Sequence, residues 1–259
     1  MSEPTLQLSA APVALFDDGL TGTRLRGAGE QPDAVWRAKV HDDEGRVWRA
    51  IADSPGALSR AWVPAKSSTG ELAAHASLRP VAVEVRVELP DGRALARTVT
   101  RSFVGDGVRV RRWRDDLAAS LYLPAGEGPF PAAVLDATEG AEAVAVGALA
   151  GALLASRGVL SLVVAPPARY APGAGRAALA LAVERVAALP AAADAGGRVP
   201  VAAIPPATTD AGTLEAGTFV PVPPGVGVRG AGAGPEAAAA RAAAWDALLA
   251  ALGATPRAA

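Results

Sequence analysis

The chain of 259 residues contains no cysteine, which excludes disulfides, thiolate nucleophiles and cysteine-based metal sites within it. Its only histidines are His41 and His75, so few imidazole bases or ligands are available. Lysine is almost absent too, because Lys39 and Lys66 are the only ones among 25 basic residues. The formal net charge of −1 gives no electrostatic argument for a nucleic acid or an acidic membrane surface as a partner. We therefore expect no metal, no cofactor and no nucleic acid.

Aromatic residues make up only 4% of the chain, although 51% of it is hydrophobic. Much of the apolar character therefore comes from alanine and valine. The longest apolar run, residues 143–155, is shorter than the roughly 20 residues that a membrane-spanning helix needs. Residues 1–12 lack the basic stretch followed by an apolar stretch of a signal peptide. We therefore expect a cytoplasmic protein with no membrane partner.

The first hundred residues are patterned as short β-strands. Residues 34–40 and 46–51 alternate between apolar and polar on either side of a turn, which predicts a hairpin. Val81–Leu89 alternates most clearly and is followed by a second hairpin into residues 94–100. Short strands with turn signals about every ten residues are typical of an immunoglobulin-like β-sandwich.

This pattern predicts a β-sandwich domain over residues 1–106, ending at the turn Gly105-Asp106-Gly107. Residues 52–79 lack a clear period, and we expect them to form a loop.

Beyond residue 107 the period changes from strands alone to strands alternating with helices. Such alternation predicts βαβ units and a parallel sheet, hence an α/β domain over residues 107–259. The predicted strands are 117–123, 130–136, 159–165 and 199–204, and the predicted helices are 143–156, 176–189 and 235–252.

The order of these segments resembles the acyl-CoA thioesterase and bile acid-CoA:amino acid N-acyltransferase family. The matching stretches are residues 34–50, the entry to the second domain at 121–138 with its Gly128-Pro129-Phe130-Pro131, and the C-terminal helix around Trp245. The resemblance implies an immunoglobulin-like domain followed by an α/β-hydrolase-like domain. It also implies a thioester substrate bound at the C-terminal edge of the sheet.

The chain departs from this family at the residues that would perform the chemistry. Alignment on the family's strand and nucleophile turn places Ala207 at the nucleophile position and Pro205 at the first glycine of the turn. A methyl group cannot attack a thioester, and proline disfavours the required turn. Thr218 stands at the position of the catalytic histidine, and the segment between Asp210 and Glu215 is much shortened. The resemblance therefore indicates a truncated, degenerate member, a pseudoenzyme without the Ser-His-Asp triad.

Several polar residues follow the predicted parallel strands, where sheets of this kind bind ligands. Carboxylates with an arginine and a tyrosine could perform acid–base chemistry there if burial separates their pKa values. Alternatively, such residues cap helices or close turns. The candidate pocket residues are Asp136, Thr138, Glu139, Arg169, Tyr170, Thr208, Thr209 and Asp210.

Three hypotheses follow. In the first, the chain is a non-hydrolytic protein that binds acyl-CoA or an acyl-derived molecule, or acts as a scaffold. In the second, it is a repurposed enzyme of the isomerase or cyclase type that uses the acidic residues at the sheet edge. In the third, it is a thioesterase whose nucleophile is Ser156 or Ser161. Because the shortened segment would leave a sheet edge unpaired, we also expect a homodimer or a protein partner to cover that edge.

Overall fold

The computed structural model describes most of the chain in separate ranges. Among the described residues of its first part, short strands dominate, joined by one short α-helix and one turn of 3-10 helix at Phe16–Asp18. The strands are β1 Gln7–Ser9, β2 Val13–Leu15, β3 Arg24–Arg26, β4 Val35–His41, β5 Val47–Ala52, β6 Val63–Pro64, β7 Val81–Glu88 and β8 Ala94–Ser102, and the helix is α1 Pro55–Leu58. The described residues are 6–11, 13–18, 20, 22–27, 33–41, 45–58, 63–65, 77–113, 116–138, 140–166, 174–192, 199–203 and 234–255.

These strands form two sheets. β1 pairs antiparallel with β3, and the other six lie in the order β2-β8-β7-β4-β5-β6. Both predicted hairpins are confirmed, since β4 pairs antiparallel with β5 and β7 pairs antiparallel with β8. Their alternation has the expected cause, because Trp36, Trp48 and Val85 are buried while their neighbours face outward.

The prediction of a loop over residues 52–79 is wrong in part. α1 and β6 lie within this range, and Leu58 of α1 is fully buried. The periodicity missed them because a single helical turn and a two-residue strand are both too short to show a repeat.

The described residues of the second part contain five strands and three longer helices. The strands are β9 Arg109–Trp113, β10 Ala119–Leu123, β11 Ala132–Asp136, β12 Leu160–Val164 and β13 Val201–Ala203, and the helices are α2 Ala141–Ser156, α3 Ala174–Ala187 and α4 Gly234–Ala251. The strands form one sheet in the order β9-β10-β12-β11-β13. For β10 to β13 and the three helices, the predicted and observed boundaries agree within about two residues.

This sheet is mixed, which corrects the prediction of a parallel one. β11 is parallel to β12 and to β13, whereas β10 is antiparallel to both β9 and β12. A parallel neighbour requires a crossover connection. Helices connect β11 to β12 and β12 to β13, whereas no described helix separates β9, β10 and β11. The chain therefore belongs to a mixed α/β class with more than one sheet.

Helices cover both faces of the five-stranded sheet. On one face α2 packs against Tyr122 and Val163, and α4 adds Trp245 to the same core. On the other face α3 places Ala182 and Val186 in a second core. The α2 core is continuous with the apolar interior of the six-stranded sheet, so the two parts of the chain share buried surface. All five residues of β12 are buried, as expected for a strand covered on both faces.

Candidate functional site

The three parallel strands end level with one another, at the edge where the sequence predicted a pocket. The Cα of Asp136, the last residue of β11, pairs with Val164 of β12 and with Ala203 of β13. Ala137 continues this arrangement, because its N–H donates to the carbonyl of Val164 at 3.0 Å. In sheets of this kind, ligands bind in the crevice outside these strand ends.

Asp136 and Thr138 form a tight turn at this edge. One oxygen of Asp136, Oδ1, accepts hydrogen bonds from the backbone N–H of Thr138 at 3.0 Å and from its hydroxyl at 2.7 Å. Gly175, in the first turn of α3, approaches closely, since a Cβ there would lie 3.3 Å from the Thr138 hydroxyl oxygen. The interpretation of these two residues as turn-closing groups therefore agrees with their contacts.

The start of α2 adds hydrogen-bond donors to the same edge. Gly140, which precedes the helix, has φ of 140°, a conformation that favours glycine, and has no side chain to cap the helix. The first helical hydrogen bond is donated by the Val144 N–H to the Gly140 carbonyl at 3.1 Å. The N–H groups of residues 141–143 therefore have no acceptor within the helix, and they carry the positive end of its dipole. This end of the helix suits a carbonyl oxygen or an anion.

The remaining residues of the predicted site lie outside the described residues. β12 and β13 end beside Asp136, and the chain then continues into the segments that contain them. Their assignment to the pocket, or to the lost catalytic positions, stays a prediction. They are Glu139, Arg169, Tyr170, Pro205, Ala207, Thr208, Thr209, Asp210 and Thr218.

Ser156 lies away from this edge and has a structural role. It is the last residue of α2, and that helix starts at the Asp136 edge and returns the chain to the beginning of β12. Its hydroxyl donates to the Ala152 carbonyl at 2.7 Å and accepts the Gly105 N–H at 2.7 Å. Through the bond to Gly105, Ser156 thus anchors the segment between the two parts of the chain to the end of α2.

Ser161 is also remote from the strand ends. It is fully buried within β12, where it pairs with Ala133, three residues before Asp136. Three strand residues span about 10 Å. The Ser161 hydroxyl donates to the Val159 carbonyl at 3.3 Å. Neither candidate serine therefore lies at the edge where the pocket was predicted.

His41, the one histidine among the described residues, gives no base at the edge either. His41 is an exposed residue of β4 in the six-stranded sheet, and His75 lies outside the described residues. Within the described ranges, no three histidine or acidic side chains are grouped closely enough to hold a metal ion. No described helix is both long and apolar enough to cross a membrane.

Sequence reasoning missed a buried polar junction between distant parts of the chain. Asp17, which is 1% exposed, accepts hydrogen bonds from Arg157 at 2.9 Å and from the indole N–H of Trp245 at 2.9 Å. Arg157 also bonds the neighbouring Asp18 at 2.6 Å. Burial raises the pKa of Asp17, and the donors Arg157 and Trp245 oppose that shift. The one available signal was Trp245, because a buried tryptophan usually needs an acceptor for its N–H.

No protein-family model matches this chain. It is 35% identical over 158 residues to the peroxisomal succinyl-coenzyme A thioesterase of Mus musculus, a match that covers 49% of this chain and 37% of that protein. It is 34% identical over 159 residues to acyl-coenzyme A thioesterase 5 of Mus musculus, with the same coverage of each chain. The matched part thus spans little more than a third of either relative. About half of this chain is related in sequence to the acyl-coenzyme A thioesterases, as the resemblance indicated.

Proposed function

We propose that this chain binds acyl-CoA, or an acyl-derived molecule, at the Asp136 edge of its five-stranded sheet without hydrolysing it. The relationship to acyl-CoA thioesterases supports the ligand class. The mixed sheet with helices on both faces supports an α/β-hydrolase-like domain, and the six-stranded and two-stranded sheets support a sandwich-like domain before it.

One observation supports the proposed location of the binding site. The ends of β11, β12 and β13 lie level, and the uncapped N-terminus of α2 lies at the same edge. Backbone N–H groups at such a helix end can donate to a thioester carbonyl or to a phosphate oxygen. This arrangement suits binding whether or not a nucleophile follows β13.

The loss of hydrolysis is supported by the residues that the chain lacks. No serine follows Ser161 and no histidine follows His75, so the second half of the chain contains no Ser-His pair. The hydroxyls of Ser156 and Ser161 make hydrogen bonds to backbone carbonyls away from the strand ends. Without the triad, only the residual catalysis of binding and oriented donors would remain.

We also propose a homodimer, or a protein partner, that covers the β13 edge, and a cytoplasmic location. Among the described strands, β13 pairs only with β11, which leaves its other side as an edge. An unpaired edge of this kind is an aggregation hazard unless it is covered. Sedimentation as a monodisperse monomer at micromolar concentration would count against the dimer.

The binding proposal is tested by titrating the full chain with acyl-CoAs of increasing chain length, free CoA and free fatty acids in a calorimeter. We expect saturable binding of at least one acyl-CoA. Asp136→Asn keeps a turn acceptor but removes a negative charge, so it should strengthen binding of the anionic ligand about twofold to fivefold. Asp106→Asn is the matched control, because Asp106 is exposed and belongs to the turn beside Ser156. Absence of binding by every acyl-CoA would overturn the proposal.

The same variant separates binding from repurposed acid–base catalysis. If Asp136 transfers a proton, Asp136→Asn abolishes conversion of the bound molecule while the fold survives. If the site only binds, chromatography of the mixture after incubation shows unchanged ligand with either protein. Conversion by the wild type that is lost in Asp136→Asn would replace our proposal with the repurposed enzyme.

A further inference from the structure

The six-stranded sheet carries a charged face on the side opposite its core. It is formed by alternate residues of the neighbouring strands β5, β4 and β7, and we call it the outer sheet face. Strand register places Arg37 opposite Arg86, and Lys39 opposite Arg49. Like charges directly opposite each other destabilise a sheet, so two such pairs side by side require an explanation. The residues of the outer sheet face used below are Arg37, Lys39, Arg49, Ile51, Glu84, Arg86 and Glu88.

The first like-charge pair is neutralised from within the protein. Glu88, two residues beyond Arg86 on β7, lies between the two arginines. Its Oε2 accepts from Arg37 Nε at 3.0 Å, and its Oε1 lies 3.2 Å from Arg86 Nε. One carboxylate therefore bridges two guanidinium groups, with one oxygen to each.

The second pair has no such bridge. In the described part of the chain, no carboxylate lies within ion-pair distance of Lys39 or Arg49. Glu84 pairs with Lys39 in register, but its side chain forms no ion pair with that lysine. Glu84 thus stands in the same row as Lys39 and Arg49 but bridges neither, whereas Glu88 bridges both arginines of the neighbouring row.

A groove connects these residues. It has a volume of about 270 Å³, and its lining includes Lys39, Arg49, Arg86 and Glu84. Ile51 also lines it and is 57% exposed, which places an apolar surface directly beside the open cations. The groove therefore offers two positive charges that no described carboxylate bridges and one apolar contact, beside the single carboxylate of Glu84.

The hydrogen-bond donors of this groove favour a carboxylate on a protein segment over a free phosphate. β4 is paired on both sides, with β5 and with β7, so its backbone N–H groups belong to the sheet and cannot cradle a phosphate. The positive groups are long side chains on an open face, which suits an extended partner surface. We propose that the outer sheet face docks an acidic segment of a partner protein, whose carboxylate bridges Lys39 and Arg49 as Glu88 bridges Arg37 and Arg86, with an apolar neighbour on Ile51.

The test is fluorescence anisotropy at low salt with the full chain and a short labelled peptide in which glutamate alternates with leucine. A peptide with glutamine in place of glutamate is the ligand control. The double variant Lys39→Ala/Arg49→Ala should weaken glutamate-peptide binding about fivefold to tenfold. The double variant Arg109→Ala/Arg111→Ala, on the exposed strand β9, removes the same charge elsewhere and should leave the affinity within about twofold of wild type.

A second variant tests the proposal in the opposite direction. Glu88→Gln removes the internal bridge and opens the Arg37–Arg86 pair, so the same peptide should bind about threefold more tightly. Equal weakening by both double variants would mean a general charge effect and would overturn the proposal. Failure of the glutamate peptide to bind, or its displacement by an equal concentration of inorganic phosphate, would overturn it as well.

Discussion

At the scale of single residues, a few buried polar side chains join parts of the chain that are far apart in sequence. Asp17 and Arg157 are separated by 140 residues, and Asp17 and Trp245 by 228. Taking a carboxylate and a guanidinium out of water is costly, and their hydrogen bonds offset that cost only when every partner is present. The junction therefore fixes three elements relative to one another: the 3-10 helix, α4, and the C-terminal end of α2.

Removal of the shared acceptor should destabilise the fold strongly. Asp17→Ala removes one of the carboxylates that pair with Arg157, and it removes the acceptor of the Trp245 indole N–H. We expect a loss of about 3 kcal/mol in the free energy of unfolding, measured with urea. Asp17→Asn retains an acceptor oxygen and should lose clearly less. Equal stability of Asp17→Ala and wild type would contradict the role assigned to this junction.

Tyr122 provides a prediction on pH. It is 3% exposed, and burial raises its pKa from 10.0 to about 12. Because the folded state holds this proton more tightly than the unfolded state, its contribution to stability is complete below pH 10.0 and is lost as the pH rises to about 12. The loss over that interval should be about 3 kcal/mol. Unfolding curves of wild type and Tyr122→Phe check this, and a parallel decline in both proteins would refute it.

At the scale of elements, α2 connects the site to the core. Its start lies at the Asp136 edge, its middle packs on the sheet, and its last turn holds the connecting segment through Ser156. Gly151 allows this close packing, because a Cβ there would lie 2.9 Å from both Tyr122 and Val163. A Cβ at that distance requires either the helix or the side chains of Tyr122 and Val163 to move.

Gly151→Val should therefore force α2 away from the sheet. We expect a loss of about 2–3 kcal/mol in the free energy of unfolding, above the gain in helix propensity that any glycine replacement brings. Gly56→Val is the control for a change in bulk alone, because a Cβ there would meet no described atom within 4 Å outside its own chain neighbours and helix backbone. Similar stability of the two variants would argue against the close packing of α2.

The elements themselves were the most predictable feature. A period of two located Val81–Glu88, and continuous apolar runs located Leu160–Val164 and Ala141–Ser156, because burial of one face, or of both, fixes which residues are apolar. The sheet order was not predictable in this way, since periodicity does not say which strands are neighbours. The Asp17–Arg157 contact and the unbridged Lys39–Arg49 pair depend on pairing between strands and helices, so they emerge only from the fold.

The candidate site was predictable in part for the same reason. Asp136 and Thr138 follow a buried strand, and they do lie at the shared strand edge. The sequence alone does not distinguish a role in acid–base catalysis from a role in closing a turn there, because both roles use the same residue types. The two hydrogen bonds that Thr138 donates to Asp136 agree with turn closure.

At the scale of the whole molecule, the two parts of the chain differ in the surfaces on which our two proposals rest. The five-stranded sheet has a level strand edge beside the N–H groups of a helix start, where we propose that an acyl-CoA binds. The six-stranded sheet has an outer face with unbridged cations, where we propose that an acidic protein segment docks. The two proposals together describe a protein that binds an acyl group and a partner without hydrolysis.

The most direct test of this account is thiol release from a panel of acyl-CoAs by the full chain, with ligand binding followed in the same samples. We expect binding of an acyl-CoA with no thiol release above the uncatalysed rate. Release that disappears in Ser156→Ala or in Ser161→Ala would show a serine nucleophile and contradict it. Release that survives both substitutions would also contradict it, and would point to catalysis by other residues at the Asp136 edge.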